Sequence, residues 1–175
     1  MIAVLSDTHS QEGTGLHSGA TEAVSTADIV IHAGDFVRES VLDAFEANAH
    51  HLCAVYGNVD DNGIRARLPR AQTVTVEGFT IAVVHVVDGG ETGLAMFGRE
   101  CDADLVIFGH THRPSYHWTG DIGLLNPGSH ADPRGNRAAF ASLAIEEQTL
   151  YGELRELDGT TFERFEIAAR DMRED

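Results

Sequence analysis

Lysine is absent from this chain of 175 residues: all 12 basic residues are arginines, set against 28 acidic residues. The formal net charge of −16 argues against a DNA- or RNA-binding surface, because binding nucleic acid requires basic patches that neutralise phosphates. It also argues against docking on an anionic membrane. Strong self-repulsion is tolerated where salt screens the charges, so we predict a halophilic source, with an ordinary acidic protein as the alternative.

Long apolar runs and paired cysteines are also missing. No segment reaches the length that a membrane span requires, and the N-terminus lacks the basic stretch of a signal peptide. Cys53 and Cys101 lie far apart without a C-x-x-C motif, so we interpret both as buried thiols in a reducing compartment. We therefore expect a cytoplasmic protein with no membrane partner.

Short runs rich in valine and isoleucine predict buried strands over residues 2–5, 28–32, 52–56, 80–85 and 105–108. Helical segments over 19–27 and 38–48 separate the first three, which predicts βαβ units and a parallel sheet. The second half predicts a hairpin over 72–84, a helix over 92–99 and short strands over 116–118, 123–125, 138–145, 149–154 and 161–167. We expect an α/β fold with two packed sheets, one domain over 1–169, and a frayed charged tail over 170–175.

Polar clusters follow five of these strands, at the point where each strand ends. They supply two carboxylates, one amide and four imidazoles, from Asp7, His9, Asp35, Asn58, His85, His110 and His112. Because ligands bind at the carboxyl ends of parallel strands, we expect these side chains to converge. Carboxylate oxygens and imidazole nitrogens are ligands for manganese, iron or zinc. Seven ligands suit two divalent ions that share a carboxylate, a centre that can clamp a phosphoryl group and activate water.

Each cluster taken alone has an ordinary structural explanation. Gly34-Asp35 and Gly57-Asn58 are common turn dipeptides, and His85 alone fits a hydrogen-bonded core histidine. The metal prediction therefore depends on the whole set. The glycines at 34, 57 and 109 are expected to allow tight turns and close backbone approach.

These residues, in this order, resemble the signature of the calcineurin-like metallophosphoesterase superfamily: D-x-H, GD, GN, H and GHxH over positions 7–112. The segment 126–129, Asn-Pro-Gly-Ser, resembles a further loop of many small members. Chain length and motif order are most similar to the small YfcE-type phosphodiesterases. The resemblance implies a four-layer αββα sandwich of two mixed sheets flanked by helices. It also allows a homo-oligomer, since relatives often self-associate.

The same resemblance implies a role for each ligand. Three residues would hold the first ion (Asp7, His9 and His112), three would hold the second (Asn58, His85 and His110), and Asp35 would bridge the two. Manganese is the first expectation for both ions, with nickel, iron, zinc or magnesium as alternatives.

Two positions depart from the family pattern. Many members carry a histidine after the GN pair, whereas this chain has Val59 followed by Asp60. Valine cannot transfer protons, so poor leaving groups are expected to react slowly unless solvent or Asp60 assists. The small YfcE-type members also tend to lack this histidine. Where those relatives often have His-Gly, this chain continues from His85 into Val86-Val87-Asp88. Either the loop shape differs, or Asp88 and the glycines at 89 and 90 form a distinct loop on the substrate side.

The sequence thus predicts hydrolysis of small phosphate esters, diesters first, by a hydroxide that bridges the two ions. A phosphomonoesterase, a nucleotide hydrolase and a protein phosphatase remain alternatives, because specificity depends on loops over 11–18, 59–70 and 86–93. The superfamily also includes a retromer subunit that serves as a protein scaffold. A scaffold predicts eroded ligands, whereas every ligand position here carries a competent side chain.

Several other residues have two interpretations each. His32 is expected to be a structural strand histidine, with support of Asp35 as the alternative. A solvated loop is favoured over phosphate contact for His130 and Arg134, and similarly for Arg38. A solvated loop is also the favoured interpretation of the basic run formed by Arg65, Arg67 and Arg70.

Overall fold

A computed structural model describes residues 1–170 of the chain. The elements in chain order are β1 (Ile2–Leu5), α1 (Ser18–Thr26), β2 (Ile29–His32), α2 (Glu39–Asn48), β3 (Leu52–Ala54), α3 (Asn62–Arg67), β4 (Ala71–Val76), β5 (Phe79–Val84), α4 (Gly90–Glu100), β6 (Leu105–Ile107), β7 (Ser115–Trp118), β8 (Gly123–Asn126), β9 (Phe140–Glu146), β10 (Thr149–Arg155) and β11 (Thr161–Ala168). Most strands begin and end within two residues of the predicted bounds, which is the usual uncertainty of element ends.

The first sheet has six strands in the order β11-β10-β9-β1-β2-β3. Strand β1 runs parallel to β2, and β2 runs parallel to β3, with α1 and α2 as the two connections. This is the predicted βαβ arrangement, and it places the carboxyl ends of β1, β2 and β3 at one edge. Strands β9, β10 and β11 extend the sheet as an antiparallel meander.

The second sheet has five strands in the order β4-β5-β6-β8-β7. The predicted hairpin joins β4 to β5, and its two turn residues, Glu77 and Gly78, both have positive φ, at 48° and 89°. Positive φ at both positions is the requirement of a type I′ turn. Strands β5, β6 and β8 are parallel, so their carboxyl ends also share one edge.

Alternating side chains divide the core into layers. On β2, Ile31 packs between the two sheets with Val83 and Ile107, whereas Val30 faces outwards. The outer face of the first sheet packs against α1, α2 and α3, and that of the second sheet packs against α4. The order helix, sheet, sheet, helix confirms the four-layer α/β sandwich that the resemblance implies.

Helix α3 was not predicted, and two of the three arginines interpreted as a solvated loop, Arg65 and Arg67, lie in this helix instead. The helix is only six residues long and contains Gly63, so it carries little periodic signal. It forms because Asp61 caps it, accepting from the Ile64 backbone N–H at 3.0 Å, and because Ile64 is fully buried. Arg65 and Arg67 are held by hydrogen bonds on its faces.

The two cysteines and the end of the chain differ in part from expectation. Cys53 is a buried free thiol whose pKa is raised to about 11 by burial, but Cys101 is only half-buried.

Arg170, assigned to the frayed tail, donates to Asp104 at 3.0 Å, and the rest of that tail lies outside the described residues. Within residues 1–170, no helix combines the length and apolar character needed to cross a membrane.

Candidate functional site

The loops that follow five strands bring the seven predicted side chains together at one edge of the sandwich. Asp7 and His9 follow β1, Asp35 follows β2 and Asn58 follows β3, all from the first sheet. The second sheet supplies His85 after β5 and a pair after β6, His110 and His112. The site therefore lies on the seam between the two sheets.

Asp35 lies at the centre of the group. Its Oδ2 is 3.2 Å from Nε2 of His9 and 3.2 Å from Nε2 of His85, which belong to different sheets. Its Oδ1 accepts from the backbone N–H of Val59 at 3.1 Å, which fixes the orientation of the carboxylate. A carboxylate oxygen that faces two imidazoles in this way can serve two ions at once.

A second cluster forms around Asp7 on one side of Asp35. Asp7 Oδ1 lies 3.3 Å from Nε2 of His112 and 3.9 Å from Nε2 of His9. The backbone N–H of His110 donates to both carboxylate oxygens, at 3.1 and 3.0 Å. Asp7, His9 and His112 bring one ligand atom each within 4.8 Å of one another, the span of a single metal site.

The third cluster lies on the other side of Asp35. Oδ1 of Asn58 is 3.0 Å from Nε2 of His85 and 2.8 Å from Nδ1 of His110. Asp35, Asp7 and His85 also form a group of metal-ligand spacing. The seven side chains are thus continuous, with Asp35 between two sets of donors.

The ring proton of His85 can be located from its partners. A carbonyl oxygen only accepts, so Nδ1, which is 2.7 Å from the carbonyl oxygen of Ala33, carries the proton. The neutral ring then presents its Nε2 lone pair to a carboxylate oxygen of Asp35. Two lone pairs at 3.2 Å repel each other unless a cation lies between them.

His112 gives the same result, and His9 shares with it a buried Nε2 atom that lacks a hydrogen-bond partner within residues 1–170. Nδ1 of His112 donates to the carbonyl oxygen of Asp132, which leaves its Nε2 lone pair facing Asp7. Nε2 of His112 and Nε2 of His9 are both buried and have no hydrogen-bond partner within residues 1–170. Buried polar atoms are normally satisfied, and a divalent ion would satisfy these. The donor set therefore fits divalent metal ions.

The charges of the cluster favour a cation beside Asp35. Burial alone would raise the pKa of Asp35, but the neighbouring imidazoles of His85 and His9 lower it below its usual range. Burial raises the pKa of Asp7. Burial would lower the pKa of His85, but the Asp35 carboxylate beside it raises it. The site therefore attracts positive charge in its own right.

The backbone at this edge is strained. Five of the seven side chains belong to residues with positive φ, a conformation uncommon outside glycine: Asp7, His9, Asp35, His110 and His112. The close approach predicted for the glycines is also present, because a Cβ on Gly57 would come within 2.0 Å of Oδ1 of Asp35. Strain of this kind concentrates at functional sites, where the surrounding structure maintains it.

Asp60, one of the candidates for assisting the leaving group, binds the backbone around Asp35 with its carboxylate. It is 5 % exposed, and its carboxylate accepts from the backbone N–H groups of Gly57 at 2.7 Å, Asp35 at 3.1 Å and Val37 at 2.6 Å. Burial raises the pKa of Asp60, against these three donors. Its role is to hold the loops after β2 and β3 together.

Sequence reasoning did not identify Asp132 as part of the site. Its carbonyl oxygen fixes His112, and its Oδ2 lies 3.8 Å from Nδ1 of His112 and 3.9 Å from Nδ1 of His9. Its backbone N–H donates to Ser129 Oγ, which donates in turn to the carbonyl oxygen of Asp7 at 2.7 Å. The only signal was the Asn-Pro-Gly-Ser segment that ends at Ser129.

The structural interpretation of His32 is confirmed, whereas that of His130 was wrong. His32 is fully buried, stacks on Phe36 at 3.7 Å and hydrogen-bonds Thr8 at 2.8 Å. His130 is not on a solvated loop. It is buried, its Nε2 hydrogen-bonds the carbonyl oxygen of Thr14 at 3.0 Å, and burial lowers its pKa to about 4.

The two remaining arginines of uncertain role are on the surface. Arg134 pairs with Asp132 at 3.1 Å, which places it at the outer rim of the site. Arg38 donates to Gln11 at 3.2 Å. Both contacts are exposed, so they contribute little to stability.

Two cavities adjoin the site, and His85 and Val86 line both. The larger has a volume of about 870 Å³ and is walled mainly by apolar groups, including Leu94, Phe108 and Tyr116. It also contains Val86, Val87 and Gly90 of the distinct loop predicted after β5, although Asp88 does not line it. The smaller has a volume of about 310 Å³ and is lined by residues 56–58, 65, 70, 85 and 86.

Comparison with known proteins agrees with this geometry. Residues 1–148 match the family model described as the calcineurin-like phosphoesterase superfamily domain. A probable metallophosphoesterase of Methanothermobacter thermautotrophicus is 33% identical over 159 residues, which cover 88% of this chain and 91% of the relative.

Two solved structures share the fold at low identity. Vps29 of Entamoeba histolytica, complexed with zinc, has a TM-score of 0.77 and 24% identity, covering 94% of this chain and 98% of that one. The phosphoesterase Yfce of E. coli has a TM-score of 0.68 and 23% identity, covering 95% of this chain and 98% of that one. With its family model matched over most of its length, this chain belongs to the calcineurin-like phosphoesterase superfamily, as its motifs predict.

Proposed function

We propose that the protein is a metal-dependent phosphodiesterase that holds two divalent ions with the seven side chains at the seam. The observation that carries this proposal is that the buried Nε2 atoms of His9 and His112 lie 3.2 and 3.3 Å from carboxylate oxygens of Asp35 and Asp7 and have no hydrogen-bond partner within residues 1–170. Two bound ions would supply an activated water and neutralise the charge that develops on the phosphoryl group.

The chain's own residues set the geometry of that site. Asp35 would be shared between the two ions because its Oδ2 faces His9 and His85 equally. The hydrogen bonds from His85 to Ala33 and from His112 to Asp132 fix both rings with Nε2 directed inwards. Because these two rings are already oriented, no side-chain ordering is needed when the ions bind.

Diesters are favoured over monoesters by the two cavities. A phosphodiester carries two organic arms, and two cavities adjoin His85, which lines both. The larger, apolar cavity can receive one arm while the smaller receives the other. A monoester would leave one of the two without a ligand.

The leaving group receives no proton from the position after Asn58. Val59 is 42% exposed at the mouth of the site and has no titratable group, and Asp60 is engaged by three backbone donors. Esters with acidic leaving groups, such as nitrophenyl esters, should therefore react fastest. Introducing histidine by Val59→His should speed turnover of a diester with a poor leaving group more than that of a nitrophenyl diester.

The test is hydrolysis of bis-p-nitrophenyl phosphate by chelated protein in molar KCl, with manganese, nickel, zinc or magnesium added back singly. We expect manganese to restore activity best, and p-nitrophenyl phosphate to be the poorer substrate. Asp35→Ala should abolish activity and reduce bound metal below two ions per chain. Asp43→Ala is the matched control, because Asp43 is an exposed carboxylate of α2 that, among the described residues, pairs with Arg67 alone. A folded protein that binds metal but hydrolyses neither ester would favour a scaffold role.

A further inference from the structure

The arginines of this chain divide into two groups by their partners. Within residues 1–170, seven lie within 4.0 Å of a carboxylate oxygen: Arg67, Arg99, Arg134, Arg137, Arg155, Arg164 and Arg170. With 28 acidic residues and no lysine, such pairing is expected almost everywhere. The arginines that lack a carboxylate partner are therefore the informative ones.

Four arginines of the described chain have no carboxylate partner, and all follow a cluster of the candidate site. Arg38 comes three residues after Asp35, Arg65 and Arg70 follow the Asn58 loop, and Arg113 comes directly after His112. Among residues 1–170, the arginines without a carboxylate partner thus lie only on segments that directly follow the site clusters. In a chain of net charge −16, this arrangement steers anions to one edge.

Two of these arginines line the smaller cavity, which has no carboxylate among its lining residues. Arg65 donates to the carbonyl oxygens of Gly57, Asn58 and Asp60 at 2.8–3.2 Å, and its guanidinium lies 5.0 Å from the centre of the Tyr56 ring. These bonds fix its position without neutralising its charge. The guanidinium of Arg65 is therefore a positive charge held in a fixed position beside the Asn58 loop.

Arg70 is the second arginine that lines the same cavity. It is exposed, and its side chain makes no hydrogen bond or ion pair within the described residues. A guanidinium matches the geometry of phosphate and carboxylate oxygens through paired N–H donors. An arginine left unbonded in a cavity that reaches Asn58 and His85 is placed to meet a negative group on the substrate.

We propose that the smaller cavity is a subsite for a second anionic group, a phosphate or carboxylate, on one arm of the diester, and that Arg70 binds it with Arg65 behind. This inference rests on the proposed phosphodiesterase function and narrows its substrate class. The preferred substrate would carry one anionic arm for the smaller cavity and one uncharged arm for the larger, apolar cavity.

Two substrates test the subsite: the p-nitrophenyl ester of thymidylate, and the same ester carrying a second phosphate on the free sugar hydroxyl. The metal-loaded wild type should show the higher kcat/KM for the second ester. Arg70→Gln should lower kcat/KM for the ester with the second phosphate roughly tenfold or more, as loss of a charged hydrogen bond does. Its kcat/KM for the ester without that phosphate should stay within about twofold of the wild type. Arg67→Gln, which removes an arginine paired on the surface with Asp43 and Glu46, should change neither.

Equal kcat/KM values for the two esters, or an equal loss on both in Arg70→Gln, would overturn the proposal. A binding measurement separates this result from failure of the proposed activity. Calorimetric titration of the metal-loaded protein with thymidylate and with its bisphosphate needs no turnover. Tighter binding of the bisphosphate that is lost in Arg70→Gln supports the subsite even if no ester is hydrolysed. Equal binding of the two nucleotides contradicts it.

Discussion

Replacing Asp60 by asparagine should destabilise the metal-free protein. Its carboxylate binds three buried backbone N–H groups, and hydrogen bonds to a charged acceptor contribute roughly 1.5–3 kcal/mol each. Asparagine keeps one oxygen, so its amide NH2 must face at least one of those donors, and the remaining bonds become neutral. We expect the free energy of unfolding to fall by about 3–5 kcal/mol. For a domain of this size, Tm then falls by about 6–20 °C.

The assay is urea and thermal unfolding of chelated protein at fixed salt. Asp61→Asn is the matched control, because it makes the same charge change one residue along the chain. Asp61 caps α3 by accepting from Ile64, and asparagine caps a helix equally well, so this variant should lie within about 0.5 kcal/mol of the wild type.

The same substitution should weaken metal binding. Asp60 holds the backbone of Asp35 and Gly57, so its loss moves the loops that carry Asp35 and Asn58. Residues that orient metal ligands typically contribute 10–100-fold in affinity, and we expect a drop of that order for manganese by calorimetry. The reasoning is refuted if Asp60→Asn matches the wild type in stability, or if Asp61→Asn is equally destabilised.

Three further predictions concern stability and metal binding. The pKa of His130 is about 4 in the folded protein against about 6.5 in the unfolded chain, so its contribution to stability is present above pH 6.5 and is lost as pH falls towards 4. The free energy of unfolding should therefore fall by about 2 kcal/mol less between pH 7 and pH 5 in His130→Gln than in the wild type. His117→Gln, which changes an exposed histidine, should behave like the wild type. Gly57→Ala should abolish metal binding measured by equilibrium dialysis, since its Cβ would meet Asp35, and normal binding would contradict that geometry. If the charge of −16 is an adaptation to salt, Tm should rise as KCl goes from millimolar to molar, and a flat profile would rule out a halophilic origin.

The strands and the ligand clusters were predictable because they obey local rules. Each buried strand is a short apolar run, and each ligand comes directly after one, so parallel pairing alone brings Asp7, Asp35 and Asn58 to one edge. The hairpin at Gly78 has an equally local cause in its two-residue turn. In these cases the signal lies within about ten residues.

The features that escaped prediction depend on contacts distant in sequence. Asp132 reaches His112 across 20 residues, and His130 is buried by a loop 116 residues away that carries Thr14. Arg65 resembles any solvated arginine until α3 folds and turns it onto the carbonyls of the Asn58 loop. No periodicity encodes such contacts, because they arise only when separate loops pack at the same edge.

The position of the site on the seam has a mechanical consequence. The first sheet supplies four of the seven side chains and the second sheet supplies three. Ions bound between them would therefore cross-link the two sheets of the sandwich. Sliding one sheet against the other would break coordination at Asp35 before it disturbed either sheet internally. Any binding to the folded state alone adds to stability by mass action. In the proposed holoenzyme, the packing of the two sheets and the catalytic activity therefore depend on the same metal-ligand bonds.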